Sequence, residues 1–470
     1  MMASVKDWLR EHRSGCVTAL MSALLYLTLA LLFFGAMAVG NWHIRGLSRT
    51  LATMLLTYAA MSVAMHAVYG GFAVGRKKDK PIISSMSLAA IATDAVTYVQ
   101  LQIMNVNPQK NDRLVLFGSD FLLLLVCMAL QVLAIIAWVH VGNKVYFRMN
   151  PPQRCLLVMG DAAEEADLRR KIGRYPLQWR IDEALLWQSP RLNAALAQAE
   201  VIFMGNVPDE PKMRILRRCY DLRRDVICRA RLEDIMLGNA SQMVVDDAPF
   251  LLMRSAHATL GQRAIKRAMD VVCSGVALVV LSPVMALMAL AIWLEDRGSP
   301  LFRQQRLTVD GKPFSICKFR TMRVEESRSE HMVSAAQEDP RLTRVGRVLR
   351  RWRLDELPQL WNILRGDMSL VGPRPEMLDN LRLYKQQLPA FSYRERMKAG
   401  LTGLAQIEGR YNTSPEDKLM LDLMYIESFS IWLDVKLIFR TLTVFFKNDS
   451  TAGFEVAPAA DDDRDAAAGA

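Results

Sequence analysis

Residues 271–294 read VVCSGVALVVLSPVMALMALAIWL. At about 1.5 Å per residue, an uncharged run of this length can cross a bilayer as a helix. Ser282-Pro283 sits in its middle. Proline removes a backbone donor and kinks a helix, and a neighbouring hydroxyl can satisfy a carbonyl left free. Two folds follow. A straight span sends everything after it to the other side of the membrane. A helix broken at Ser282-Pro283 enters and leaves on one face. Lys and Arg are dense on both sides of the run, which favours a re-entrant membrane helix over 262–296.

Toward the N-terminus the apolar pattern repeats. Residues 16–39 are uncharged and long enough to span. They exceed the h-region of a signal peptide, and no convincing small-residue cleavage site follows them. Residues 51–75, 82–104 and 114–141 give three more candidate spans, with Asp94 inside the third and Asp120 near the start of the fourth. Lys6, Arg10 and Arg13 precede the first span. Arg76, Lys77, Lys78 and Lys80 follow the second, and Lys144, Arg148 and Arg154 follow the fourth. The positive-inside rule then puts both ends of a four-helix transmembrane bundle, residues 1–150, in the cytoplasm. Asp94 and Asp120 read as packing residues rather than functional membrane carboxylates.

The chain has 470 residues, a net charge of +11 and a hydrophobic share of 51%. That excess of positive charge suits nucleic acid, an anionic membrane surface or phosphorylated substrates. With so many apolar runs the membrane comes first, and no stacking aromatics interleave the basic residues as in a nucleic-acid module. No nucleic-acid partner is expected. The seven cysteines are scattered, with no CxxC pair and no His cluster. Neither a disulfide framework nor a zinc site is expected.

Residues 151–255 alternate short apolar runs with helical stretches. RCLLVMG (154–160), AEVIFMG (199–205), DVICRA (225–230) and SQMVVDD (241–247) read as strands, and PKMRILRRCYDLRR (211–224) as a helix. This order argues for a parallel, Rossmann-like α/β domain. No GxGxxG follows the first strand, so a structural or regulatory role is expected rather than a nucleotide site.

Residues 297–455 form a mostly helical third region with one β-like stretch, LFRQQRLTVDGKPFSICKFRTM (301–322). Asp310-Gly311 supplies the positive φ angles of a hairpin turn. SIWLDVKLIFRTLTVFFK (430–447) is apolar on one face, so it lies in the membrane interface or packs on the core. The acidic tail, 456–470, has the composition of a disordered segment. Basic residues gather around RWRLDELPQLWNILRGDMSLVGPRPE (351–376). Arg341, Arg344, Arg347, Arg350, Arg351 and Arg353 lead to Asp355-Glu356, and Arg374 is fixed between Pro373 and Pro375. Such arginines suit a ligand with more than one phosphate, or a face resting on anionic lipid. A carboxylate among them can attack phosphorus or hold Mg²⁺. By pattern alone an ion-pair network on the surface is an equal alternative.

These residues carry a resemblance. KFRTM (318–322), DPRLTRVGRVLRR (339–351), LDELPQLWNILRGDMSLVGPRPE (354–376) and GLTGLAQIEGR (400–410) follow the basic residues and the Ser-Pro apolar helix in order. The set resembles the bacterial sugar transferase family, the monotopic phosphoglycosyl transferases that begin polysaccharide or glycoconjugate assembly on a polyprenyl phosphate. The match covers about residues 263–447. Spans and an α/β region ahead of it resemble the family's large members. The resemblance implies a cytoplasmic catalytic domain on the bacterial inner membrane. Asp355 matches the family's nucleophile toward a UDP-sugar, releasing UMP, and Glu356 the second member of its dyad. Undecaprenyl phosphate is the implied acceptor, and Mg²⁺, held through Asp355, the implied cofactor. Lys318, Arg320, Arg350 and Arg374 occupy positions suited to phosphate contacts, and Arg410 the place where the nucleotide is met. One segment departs from the family's KPGITGWAQ and reads KAGLTGLAQ (398–406). Which sugar is moved stays open, as does a homodimer. The competing function is a catalytically silent membrane scaffold for a polysaccharide assembly complex.

Overall fold

The computed structural model describes residues 13–75, 78–106, 114–253, 258–323, 341–409 and 413–444. The chain divides into two compact units, Met1–Ala230 and Arg231–Ala470.

The first unit begins with a multi-helix membrane-spanning region. Its helices are α1 (Arg13–Gly40), α2 (Arg49–Tyr69), α3 (Asp79–Met104) and α4 (Ser119–Met149), each long and apolar enough to cross a bilayer. Their inner faces close around Leu25, Phe33, Met37, Met54 and Ile135. Leu31, Val63 and Leu122 point outward and stay exposed, as a lipid-facing surface requires. The expected second span ran to 75, but α2 stops at Tyr69 because Gly70 and Gly71 take φ of 86° and 57°. A left-handed residue ends the helical hydrogen-bond ladder, and glycine adopts it without strain. Both membrane carboxylates have polar partners. Gln131 Nε2 donates to Asp94 at 3.3 Å, and Asn41 Nδ2 donates to Asp120 at 2.9 Å.

A four-stranded parallel sheet follows. Its elements are β1 (Gln153–Met159), α5 (Glu165–Ile172), β2 (Trp179–Leu186), α6 (Leu192–Gln198), β3 (Val201–Met204), α7 (Asp209–Asp221) and β4 (Asp225–Cys228). The strand order is β2-β1-β3-β4. The sequence reading missed β2 and placed the fourth strand at 241–247 instead. In the edge strand WRIDEALL, Arg180, Asp182 and Glu183 interrupt the apolar residues and half of the positions are exposed, so it lacks the apolar run that marks a buried strand. Glu164 accepts the backbone N–H of Gly160 (3.3 Å) and of Asn206 (3.1 Å). The chain's own carboxylate thus fills the gap between the carboxyl ends of β1 and β3.

The second unit starts with α8 (Leu232–Gly238) and the antiparallel hairpin of β5 (Ser241–Val245) and β6 (Ala248–Leu252). The stretch expected as a parallel strand is therefore one arm of a separate hairpin, turned by Asp246 at φ 59°. Ile235 of α8 joins the C-terminal core. Residues 231–255, grouped by sequence with the α/β region, thus go with this unit.

Helix α9 (Leu260–Asp296) runs 37 residues, about 55 Å, with Pro283 inside it. The helical assignment runs on through Ser282-Pro283, the place of the expected break. Proline at 283 cannot donate to the carbonyl of Val279, and Ser282 Oγ donates to that oxygen instead, at 2.8 Å. This substitute bond offsets part of the proline's cost. Both ends of α9 are fastened to the same domain. Near its start, Arg267 donates to the carbonyls of Ile363 and Leu364, each at 2.7 Å. Buried Lys266 meets Asp434 at 2.5 Å and the carbonyl of Val371 at 2.9 Å. Asp270 accepts from Ser369 Oγ and the N–H of Leu370. Near its end, Glu295 accepts the N–H groups of Arg344 (2.7 Å) and Val345 (3.1 Å). Between these anchors Val272, Val276, Val279, Val280 and Leu287 stay exposed.

The remaining elements are β7 (Leu301–Leu307), β8 (Pro313–Phe319), α10 (Arg344–Arg351), α11 (Gln359–Arg365), β9 (Ser369–Val371), α12 (Leu378–Gln387), β10 (Gly400–Thr402), α13 (Leu404–Glu408), α14 (Pro415–Glu427) and α15 (Ile431–Val444). β7 and β8 form the expected hairpin, with Asp310 and Gly311 at φ 58° and 68°. Phe391, Ile363, Val371, Leu423, Tyr425 and Leu437 centre the core. α15 packs there through Leu433, Leu437 and Ile438 and buries Asp434 completely, the core-packed placement of the two open for this stretch. The tail 456–470 lies outside the described residues.

Candidate active site

Asp355 and Glu356 sit on one short 3₁₀ turn, Leu354–Glu356. The turn follows α10 through Arg353, whose φ of 53° reverses the chain. Neighbours on a 3₁₀ turn point about 120° apart, so the two carboxylates face different surroundings.

Glu356 is clamped. Arg374 meets it with two parallel contacts, Nη2 to Oε1 at 2.5 Å and Nη1 to Oε2 at 3.3 Å. Lys318 Nζ of β8 lies 3.7 Å from Oε1. Burial opposes the charge of Glu356, but Arg374 and Lys318 outweigh it and hold the carboxyl well below the usual carboxylate range. The Glu356 charge in turn raises Arg374, against the effect of burial. Lys318 is pushed down by its burial, although Glu356 pulls it back.

Asp355 is uncommitted. Among the described residues no side chain hydrogen-bonds it or pairs with it. Burial, then the neighbouring Glu356 charge, push its carboxyl up to about 6, against the pull of Lys318, Arg350 and Arg374. It is therefore mostly ionised at neutral pH and has no cation bound to it. A carboxylate in that state is a competent nucleophile.

Arg374 is held from behind. β9 leads into Gly372-Pro373-Arg374-Pro375, and a Cβ at Gly372 would stand 2.2 Å from the carbonyl of Lys398. Only glycine lets the two chain segments approach so closely. Arg394 donates to the carbonyl of Arg374 at 2.8 Å and pairs with buried Asp422 at 2.7 Å. Glu376 pairs with Lys418 at 2.8 Å. Arg350 donates from Nε to Thr321 Oγ1 at 2.9 Å.

The structure brings Asp355, Glu356, Lys318, Arg350 and Arg374 together. Arg320 goes elsewhere: it is buried, ion-paired with Asp296 at the end of α9, and fastens that helix. Arg410 lies outside the described residues. Sequence reasoning passed over Arg306, Arg394 and Glu376. Glu376 closes the quoted motif at 354–376 without having been singled out, and Arg394 carried no pattern signal. Arg306 stands last in a run of four polar residues, 303–306, within the β-like stretch. The departure at Ala399 also has a consequence: its N–H donates to Thr308 Oγ1 at 3.1 Å, a bond a proline there would lack.

Arg306, Lys318, Arg350, Arg353 and Arg374 act on a site with three carboxylates, Asp355, Glu356 and Glu376. The surplus of positive charge fits a ligand with several phosphates. Among the described residues no three His, Cys, Asp or Glu side chains gather as metal ligands. Mg²⁺ takes one or two carboxylates together with substrate phosphates and waters. Asp355 fits that mode, whereas both oxygens of Glu356 are occupied by Arg374.

Residues 261–448 match the family model described as bacterial sugar transferase. The chain is 43% identical over 191 residues to the UDP-glucose:undecaprenyl-phosphate glucose-1-phosphate transferase of Escherichia coli (strain K12), covering 40% of this chain and 41% of that protein. It is 42% identical over 190 residues to the protein of the same name from Caulobacter vibrioides, covering 39% of this chain and 71% of that protein. It is 40% identical over 182 residues to a UDP-N-acetylgalactosamine-undecaprenyl-phosphate N-acetylgalactosaminephosphotransferase of Aeromonas hydrophila, covering 38% and 43%. The match thus spans well under half of the Escherichia coli and Aeromonas relatives.

Proposed function

Because the chain belongs to the bacterial sugar transferase family, we propose that it transfers a sugar 1-phosphate from a UDP-sugar to undecaprenyl phosphate. The observation that carries this reading is the contrast within the dyad. Glu356 is locked to Arg374, while Asp355 beside it is ionised, uncommitted and surrounded by cations.

An oxygen of Asp355 attacks the sugar-bearing phosphorus. The bond from that phosphorus to the bridging oxygen breaks, and UMP leaves with the electron pair. The sugar phosphate is then an acyl phosphate on Asp355. A phosphate oxygen of the lipid attacks the same phosphorus and returns Asp355 as a carboxylate. Lys318, Arg350 and Arg374 offset the phosphate charges throughout. Glu356 stays ionised across the neutral range, so it positions Arg374 rather than taking up a proton. Mg²⁺, when held by Asp355 with the substrate phosphates, supplies further charge neutralisation.

The same reading places the reaction at the cytoplasmic face. Two fastened ends on one domain, with exposed apolar residues between them and Pro283 in the middle as the place for a kink, support a helix α9 that dips into the membrane and returns. A polyprenyl carrier would meet the site from that side. The uncommitted nucleophile argues against a silent scaffold, which has no use for it.

The test is UMP release by the purified protein with Mg²⁺, undecaprenyl phosphate and a panel of UDP-sugars. Asp355→Asn should abolish release. It should also stabilise the fold near pH 7 by up to ~3 kcal/mol. The folded pKa of Asp355 lies above its ordinary value, so its favourable contribution is full at low pH and is lost as pH rises through about 6. UMP release by the variant at the wild-type rate would refute the assignment.

A further inference from the structure

The mechanism leaves one buried cation without a task. Arg306 of β7 is only 8% exposed. Its guanidinium donates to a neutral oxygen, Gln304 Oε1, at 2.6 Å. Its Nε is buried with no hydrogen-bond partner, and among the described residues no carboxylate pairs with it. Burial strips a guanidinium of its hydration, and an unbalanced charge left there destabilises the fold. Such groups persist where the function requires them.

The carboxylates whose fields reach Arg306 are Glu376 and Glu356. Each is already held: Glu376 by Lys418, with Arg394 at 3.6 Å, and Glu356 by Arg374. The positive charge of Arg374 also acts against Arg306. Leu307 and Thr308, the next two residues, line one cavity with Arg374, Glu376 and Arg394. Arg306 thus directly precedes two residues that line this cavity, feels the charges of Glu356 and Arg374, and keeps its Nε unused.

We infer that Arg306 binds a phosphate oxyanion, which supplies its missing counter-charge when substrate is present. The planar, forked donors of a guanidinium suit phosphate oxygens better than a lysine would. The inference rests on the proposed function only for the source of the phosphate, which is the donor's diphosphate or the lipid's phosphate.

The test uses the full chain in nanodiscs, as wild type, Arg306→Met and Arg306→Lys. Thermal unfolding is followed with and without UDP. Without ligand, Arg306→Met should melt at or above the wild-type temperature, because an unbalanced buried charge has gone. If the phosphate is the donor's, the UDP-induced rise in melting temperature should fall by at least half. Single-turnover UMP release should then slow about ten- to a hundredfold, with Arg306→Lys in between. If the phosphate is the acceptor's, UDP stabilisation and UMP release persist, and transfer from sugar-phosphate-loaded enzyme to undecaprenyl phosphate slows by at least tenfold. Melting well below wild type would make Arg306 a structural residue and overturn the inference. Unchanged UDP stabilisation, release and transfer would overturn it equally. A UDP effect that depends on Arg306, in a wild type that forms no UMP, would instead remove the proposed function and leave this residue's role standing.

Discussion

Glu356→Gln tests whether the dyad works by charge. The substitution keeps the shape of the side chain and removes the charge that helps hold the Asp355 carboxyl near 6. It also leaves Arg374 and Lys318, which pull Asp355 downward, without their counter-ion. Both changes lower the Asp355 pKa. A like charge at this range shifts a carboxyl by about one unit or more. The first half-reaction needs ionised Asp355, so its rate should follow the ionised fraction. In the wild type that fraction is about one-tenth at pH 5 and about nine-tenths at pH 7, for a pKa near 6. In the variant it should be roughly half or more already at pH 5. The plateau should fall about a hundredfold, because Arg374 loses its holder and moves. The assay is rapid-quench measurement of UMP from a UDP-sugar with no lipid acceptor. Leaving out the acceptor matters, because a phosphate monoester titrates near pH 6 and would mask Asp355. An acid limb that stays near 6, or moves up, refutes the electrostatic account of Glu356.

Lys266→Met should cost about 3–5 kcal/mol of stability, because it leaves the fully buried Asp434 without its cation. Adding Asp434→Asn should recover most of the loss in denaturant unfolding; no recovery would show that the pair is not what holds α9 to the core. For membrane topology, single cysteines replacing Gln262 and Arg297 in a background without native cysteines should react with an impermeant reagent from the same side of sealed vesicles. Labelling from opposite sides would show that α9 spans the bilayer.

Much of the molecule was readable from local pattern. Long uncharged runs marked the membrane helices, since a bilayer core accepts little else. Apolar runs marked the buried strands β1 and β3, and Asp310-Gly311 marked the hairpin turn. The edge strand at 179–186 gave no such signal, because Arg180, Asp182 and Glu183 break up its apolar residues, and an edge strand need not be apolar on both faces. The hairpin at 241–252 looked like a parallel strand for the converse reason: its first arm is apolar yet exposed. Asp355-Glu356 and its arginines were legible as types of residue in an order.

Roles within that order were not legible. Two adjacent carboxylates look alike in a sequence, and only the approach of Arg374, 18 residues on, commits one and leaves the other uncommitted. Arg320 stood in a promising motif but is taken by Asp296, 24 residues away. Arg306 stood in none and is buried near the charges of Glu356 and Arg374. The sequence by itself determined which segments enter lipid and which residues carry charge, because hydropathy and charge belong to each side chain alone. The tertiary structure decided which charges meet. An ion pair or an uncommitted carboxylate is a property of distance, and those distances are set by the packing of β8, β9 and α9 around one turn.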